Sequence, residues 1–233
     1  MNQPTCAFAL CAAVLCLLAQ PARAQTAELA QPGAFSIAPS VVVATDYIWR
    51  GQSQTNGKPV VFGEIDLGFH GFYLDGRTEN VDFSGARQEY DNRAGYVLPL
   101  GRLKLDLGFI RYGYVGASSN FDTLEGAATL SGDWGKLNAH LGVNYTRNYF
   151  GTHAAGEYYE AGATWQVRPK FALNASFGRQ IVDRTMHYDT WNLGVDYTLR
   201  KGIDLTAAYI DTDTAAFGNQ GGARAMGSIS FAF

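Results

Sequence analysis

The sequence has little cysteine, no long apolar run and no excess of positive charge, and each shortage excludes a class of protein. The three cysteines of the 233 residues are Cys6, Cys11 and Cys16, so the rest of the chain has no disulfide framework. Beyond the N-terminus no run reaches about 18 apolar residues, which excludes a protein that crosses a membrane with helices. A net charge of −3 excludes the broad basic surface that binds nucleic acid.

Glycine and aromatic residues are abundant instead. The chain has 27 glycines, and 13% of its residues are aromatic, while only 17% are charged. That combination is unusual for a soluble enzyme. It is typical of a protein built from many strands that are joined by glycine-containing turns.

The N-terminus has the pattern of an export signal. Residues 6–19 form a short apolar block, and Ala22-Arg23-Ala24 follows it as a small-x-small cleavage pattern. We therefore predict that residues 1–24 are a signal peptide and that residues 25–38 are a periplasmic lead-in. The alternative is that the apolar block is a buried helix of the folded domain.

From residue 39 onward apolar and polar residues alternate at period 2, which indicates strands with two unlike faces. In residues 137–145, for example, the odd positions are Leu, Ala, Leu, Val and Tyr, and the even positions are polar or glycine. The alternation defines twelve segments, of which the third and fourth are the least regular. The segments are 39–50, 59–70, 72–82, 87–98, 102–114, 121–131, 136–149, 157–168, 170–181, 188–199, 203–211 and 223–233.

The lengths of the segments and of their connections favour a membrane barrel over a soluble sandwich. Strands of soluble proteins average about 5 to 6 residues, and most of these segments are roughly twice as long. Ten tilted residues span about 24 Å, close to the apolar belt of an outer-membrane barrel. Tight turns such as His70-Gly71 alternate with mostly longer connections such as 212–222. We therefore predict an all-β fold, a transmembrane antiparallel up-and-down β-barrel of about 12 strands over residues 39–233.

Aromatic residues near the segment ends predict two belts at the lipid headgroups. The predicted members are Tyr47, Trp49, Tyr145, Tyr159 and Trp191 on the long-loop side, and Phe69, Trp165, Phe171, Tyr197, Phe231 and Phe233 on the turn side. The last segment alternates down to Phe233. It resembles the C-terminal signal through which barrel-insertion machinery recognises outer-membrane proteins.

Residues 45–55, with the sequence TDYIWRGQSQT, and the following Lys58-Pro59 resemble the opening of the TorF-type family of porins. Residues 80–83 and 89–91 are also similar to that family, although the turn at His70-Gly71 is tighter than its usual one. The resemblance implies a protein of the bacterial cell outer membrane with a pore role and no defined substrate.

Extending the alternation places charged side chains on the face that would line the lumen. Twelve acids and five bases fall there, which favours a weak preference for cations. The alternative is that these groups pair across strands and hold a closed barrel interior. The candidates for a pore-lining constriction are Asp46, Arg50, Glu64, Asp66, Arg77, Glu79, Glu89, Asp91, Arg93, Lys104 and Asp106. Ser53, Gln54 and Thr55 either line the mouth or fold inwards.

The function predicted from these patterns is a porin for passive diffusion of ions or small polar solutes, surrounded by outer-membrane lipid. The alternative is a structural or adhesive barrel with a plugged lumen, whose extracellular loops bind partners. The four histidines have neither a metal-binding spacing nor the His-x-Ser pair of outer-membrane phospholipases. We therefore expect no enzyme activity, no cofactor and no metal. The sequence leaves the oligomeric state open.

Overall fold

The computed structural model describes residues 35–233, which form a closed antiparallel barrel of twelve strands. The predicted signal peptide and most of the predicted lead-in lie outside these residues. The barrel strands are β1 (Phe35–Ala44), β4 (Val60–Phe69), β5 (Phe72–Phe83), β6 (Ala86–Leu100), β7 (Leu103–Val115), β8 (Thr123–Trp134), β9 (Leu137–Thr146), β10 (Gly156–Arg168), β11 (Phe171–Val182), β12 (Met186–Arg200), β13 (Ile203–Thr212) and β14 (Arg224–Ala232). A short hairpin, β2 (Ile48–Trp49) and β3 (Gln52–Ser53), lies between β1 and β4.

Each barrel strand pairs with its neighbours in sequence, and β1 closes the barrel by pairing with β14. Closure gives every strand a hydrogen-bonded neighbour on both sides, which a sheet needs if it is to cross a hydrocarbon layer. The fold class predicted from the sequence is therefore confirmed. Within residues 35–233 no helix is long and apolar enough to cross a membrane.

The period-2 pattern separates the two faces of the barrel as predicted. On β12, Trp191, Leu193 and Val195 are exposed on the outer face, while Thr190 and Asn192 are buried in the lumen. Apolar side chains such as Leu141 and Phe109 continue the outer face on other strands. The result is an apolar belt around a polar interior, which is the arrangement of an outer-membrane barrel.

The connections differ between the two ends of the barrel. At one end five two-residue turns join the strands: 70–71, 101–102, 135–136, 169–170 and 201–202. Gly71 has a φ of +88° and His70 one of +51°, a pair of left-handed conformations that closes a two-residue hairpin. At the other end most connections are longer, such as residues 213–223 and the still longer 45–59, although Ser84-Gly85 is also a two-residue turn. We call these the turn end and the loop end.

The first predicted strand differs from the structure. It was predicted over residues 39–50, whereas β1 begins at Phe35 and ends at Ala44. The chain then turns into the lumen, so Tyr47 and Trp49 are buried inside the barrel and the prediction that they face lipid is wrong. The other predicted loop-end belt residues, Tyr145, Tyr159 and Trp191, are exposed on the outer face.

Candidate functional site

Residues 45–59 connect β1 to β4 and enter the barrel from its loop end; we call them the inward segment. The segment folds as the β2–β3 hairpin, whose two-residue turn is Arg50-Gly51. Both turn residues have positive φ, +46° and +80°, as a tight hairpin turn of this kind requires. The turn therefore carries an arginine at the tip of a hairpin inside the lumen.

The Arg50 guanidinium is held by groups from two distant strands. Its Nη1 and Nη2 donate to the two carboxylate oxygens of Glu125 on β8 at 3.0 and 2.6 Å. Nη1 also donates to Oε1 of Gln180 on β11 at 3.0 Å. The guanidinium carbon lies 4.2 Å from the ring centroid of Trp49 and 4.3 Å from that of Tyr158.

Arg50 is only 1% exposed, so this ion pair is shielded from water. A bidentate arginine–carboxylate pair fixes the relative orientation of both groups as well as attracting them. If one partner of such a buried pair is removed, the other is left as an uncompensated charge, at a cost of about 3–5 kcal/mol. The pair therefore fastens the tip of the inward segment to the lumen wall.

The base of the inward segment is fastened through Asp46. Its Oδ1 accepts hydrogen bonds from the hydroxyls of Ser53 at 2.6 Å and Thr55 at 2.8 Å. Its Oδ2 accepts one from Nη1 of Arg224 on β14 at 3.2 Å. Ser53, Gln54 and Thr55 are buried, so these residues fold inwards rather than line an open mouth.

Apolar packing fills the space around the hairpin. The Tyr47 ring meets the Phe62 ring edge-on at 5.1 Å, and Trp49 meets Tyr112 at 5.9 Å and Phe150 at 5.1 Å. Together with aliphatic residues of the wall, these side chains form one buried cluster inside the barrel. The loop-end part of the lumen is thus packed like the core of a soluble protein.

A group of charged side chains lies on β5 and β6, where Glu79 pairs with Glu89 and Arg77 with Asp91 in the strand register. Arg77 donates to Glu79 Oε1 at 2.8 Å and also to Asp91. The hydroxyl of Tyr114 donates to Glu89 Oε1 at 2.8 Å. We call Glu79, Glu89 and Asp91 the carboxylate cluster.

Closer to the turn end, Arg93 donates to Asp106 Oδ2 at 2.5 Å, and the Tyr73 hydroxyl donates to Oδ1 of the same carboxylate at 2.8 Å. Gly95 and Gly108 lie beside the Tyr73 hydroxyl, where a Cβ on either glycine would overlap with it. The glycines of these strands therefore make room in the lumen for a large neighbouring side chain.

The opposite wall is polar but carries fewer charges. His140 Nε2 lies 2.9 Å from Glu160 Oε1, and the Tyr158 hydroxyl donates to Glu160 Oε2 at 3.0 Å. Asp196 accepts hydrogen bonds from Asn174 at 2.6 Å and from Thr206 at 2.8 Å. His140 is thus part of the lumen wall, as the alternation predicts.

The remaining predicted site residues also lie on lumen-facing positions. Glu64 and Asp66 lie on β4, opposite Arg77 and Asp75 in the register with β5. Lys104 lies near the turn end, where its Nζ is 3.9 Å from Asp133 Oδ2.

Asp46 and Arg50 are the exceptions among the predicted site residues. Both were predicted on the lumen face of the first strand, but they lie in the inward segment, one at its base and one at its tip. Their predicted place on the first strand is wrong, because that strand ends at Ala44. Their role in a constriction stays a prediction. The sequence pattern also missed Gln180 and Tyr158 as partners of Arg50.

A substitution at Gly178 tests the packing around Arg50. A Cβ at this position would overlap with the ring and hydroxyl of Tyr158, which stacks on Arg50. We expect Gly178→Ala to lower the free energy of unfolding by about 1–3 kcal/mol, because Tyr158 must leave its rotamer. Denaturant unfolding measures the change.

The matched control for Gly178→Ala is Gly142→Ala, in which another lumen-facing glycine is replaced. There a Cβ would lie in ordinary contact, with the Thr129 hydroxyl 3.4 Å away. Equal effects of the two variants would show that Tyr158 is not tightly packed.

Comparison with solved structures finds the same architecture in porins. The KdgM porin aligns with a TM-score of 0.61 and 12% identity, over 84% of this chain and 99% of that one. The NanC porin aligns with a TM-score of 0.61 and 11% identity, over 85% and 99%. A KdgM porin in complex with disordered oligogalacturonate aligns with a TM-score of 0.61 and 12% identity, over 85% of this chain and 99% of that one. No curated protein matches the sequence.

The chain forms a closed barrel of twelve strands with an apolar outer belt and a charged interior. These features define its class, the β-barrel proteins of the bacterial outer membrane. Residues 27–232 match one family, which is described as a bacterial protein of unknown function, Gcw_chp. The chain belongs to this family. The description of this family does not mention TorF-type porins, so the resemblance to them remains a prediction.

Proposed function

We propose that the protein is a porin that lets ions or small polar solutes diffuse passively through a narrow, charged lumen. The observation that supports this most is the polar inner wall, which continues from the carboxylate cluster to Asp106 near the turn end. A barrel of this size encloses more space than the side chains of an eight-strand barrel fill.

In this proposal the inward segment is the constriction. Its hairpin, with Arg50 at the tip, occupies the loop-end half of the lumen, and solute must pass beside it or displace it. The lining residues are those predicted from the sequence, and acids outnumber bases among them. A ring of one charge sign sets ion preference, so we expect cations to pass more readily than anions.

The charge of the lumen also bears on the solute class. One structural neighbour is a KdgM porin in complex with oligogalacturonate, which is an anionic sugar polymer. The acids on β4, β5 and β6 of the present chain would repel such a polymer. We therefore propose small cations or neutral polar solutes for this protein.

Electrical recording in planar lipid bilayers tests the proposed function. We expect stepwise conductance and a reversal potential that indicates cation preference. The double variant Glu64→Gln/Asp66→Asn should reduce that preference, since it removes two acids from the β4 face of the lumen. The control Asp82→Asn alters a carboxylate that pairs with Lys58 at the exposed loop end, and it should have little effect.

The second candidate function is a structural or adhesive barrel whose loops bind partners. The core-like packing of Tyr47, Ile48 and Trp49 favours it, because such packing blocks the loop end of the lumen. Protein that is folded, as judged by heat-modifiable gel mobility, and yet never conducts would support this candidate and contradict the porin proposal.

The route to the membrane is also part of the proposal. Residues 1–24 would direct export, and β14 with the following Phe233 would be recognised by the barrel-insertion machinery. Phe233 is exposed, and Ile229 and Phe231 alternate with lumen-facing positions on the same strand. The side chain of Phe233 is thus accessible for recognition.

A further inference from the structure

The carboxylate cluster has the geometry of a cation site. One oxygen each from Glu79, Glu89 and Asp91 lies within 4.8 Å of the others, and all three residues are buried. Oxygens that share an ion at about 2.4 Å can be no further apart than this. Two adjacent strands supply the three ligands through a fixed register, with Glu79 directly opposite Glu89.

The charges of the cluster do not balance. Three carboxylates lie with one guanidinium, that of Arg77, so the group carries two excess negative charges when ionised. Like charges directly opposite each other on paired strands destabilise a sheet. Buried charges also need a compensating partner, because they have lost their hydration. A divalent cation would supply the missing two positive charges.

A second observation concerns Glu89 alone. Its Oε1 accepts the hydrogen bond from Tyr114, but among the described residues its Oε2 has no hydrogen-bond partner. The side chain is only 2% exposed, so this oxygen is buried. An unpartnered carboxylate oxygen in such a place costs more free energy than a hydrogen bond returns, and metal coordination removes that cost.

We propose that Glu79, Glu89 and Asp91 bind a divalent cation of the calcium class inside the lumen, next to the inward segment. Carboxylate oxygens are the preferred ligands of hard cations, and calcium accepts irregular sets that water completes. The Tyr47 hydroxyl, which accepts from Arg77 at 3.2 Å, brings the inward segment to the edge of this site. A bound cation would thereby stabilise the closed lumen end.

The test uses full-length barrel in detergent, stripped of metal with a chelator and then titrated with calcium chloride. We expect the thermal unfolding temperature to rise with calcium concentration, as it does for any ligand that binds only the folded state. Terbium, a luminescent substitute for calcium, should show emission excited through Tyr114 and Tyr47. Neither readout involves conduction, so failure here would leave the proposed channel function untouched.

Variants locate the site. Glu89→Gln keeps the shape of the side chain and should weaken calcium binding by about 10-fold or more. Altering a residue that only hydrogen-bonds to a metal ligand already lowers metal affinity by about 10-fold, and loss of a ligand charge should cost at least as much. The matched control Asp196→Asn neutralises a lumen carboxylate that is hydrogen-bonded by Asn174 and Thr206, and it should leave binding unchanged. The absence of calcium-dependent stabilisation in wild-type protein, or equal loss in both variants, would overturn the proposal.

Discussion

Replacing Arg50 with alanine is expected to free the inward segment and to raise the conductance of the barrel. The substitution leaves Glu125 as a buried charge without its bidentate partner, at a cost of about 3–5 kcal/mol. The backbone ladder of the wall stays intact, so the least costly response is for the hairpin to leave and for water to reach Glu125. A change of that size shifts the equilibrium towards the open lumen by about 100-fold or more.

Single-channel recording and liposome swelling measure the effect of Arg50→Ala. The control is the double variant Arg50→Met/Glu125→Leu, which replaces the ion pair with apolar groups of similar size. It should conduct like the wild-type protein, since such exchanges are often neutral or stabilising and leave the inward segment in place. If Arg50→Ala conducts like the wild-type protein, the ion pair does not hold the segment in place.

Replacing Leu193 with arginine is expected to destabilise the inserted barrel by about 2–4 kcal/mol, because it places a charge near the middle of the lipid layer. Leu193 lies at the centre of β12 and is 62% exposed on the outer face. Unfolding from lipid vesicles in denaturant measures the difference. The expected loss of stability arises from contact between the arginine and lipid, and it does not involve the lumen.

The control for Leu193→Arg is Leu199→Arg on the same face of the same strand. Leu199 lies next to the turn end, where an arginine reaches the headgroups and should cost only about 0–1 kcal/mol. If the two variants are equally stable, the apolar belt does not lie where the outer face of β12 places it.

The sequence predicts the barrel because a strand with one lipid face and one lumen face must alternate along its whole length. This holds even for β5 and β6, whose pattern is the least regular: Glu79, Glu89 and Asp91 point inwards as predicted. Local periodicity is enough in these strands, since each side chain's face depends only on its position within the strand.

The inward segment could not be predicted in this way. In residues 46–50 the charged residues Asp46 and Arg50 fall on one face and the aromatic rings of Tyr47 and Trp49 on the other. That pattern is the same for a strand in the wall and for a hairpin in the lumen. The difference is decided by contacts with Glu125, Gln180 and Arg224, which are 75 to 178 residues away in sequence. A single sequence carries no local signal for such pairs.

The seam between β1 and β14 has a consequence for the order of folding. It has five register pairs, whereas β1 and β4 have ten. The base of the inward segment extends this short seam: the Thr45 amide donates to the Gly227 carbonyl at 2.9 Å, and Asp46 binds Arg224. These contacts join the first and the last strand of the barrel. Contacts between residues so distant in sequence form late in folding. The base of the inward segment is thus fastened only after the last strand has arrived, so an incompletely assembled barrel lacks both its seam and the attachment of this base to the wall.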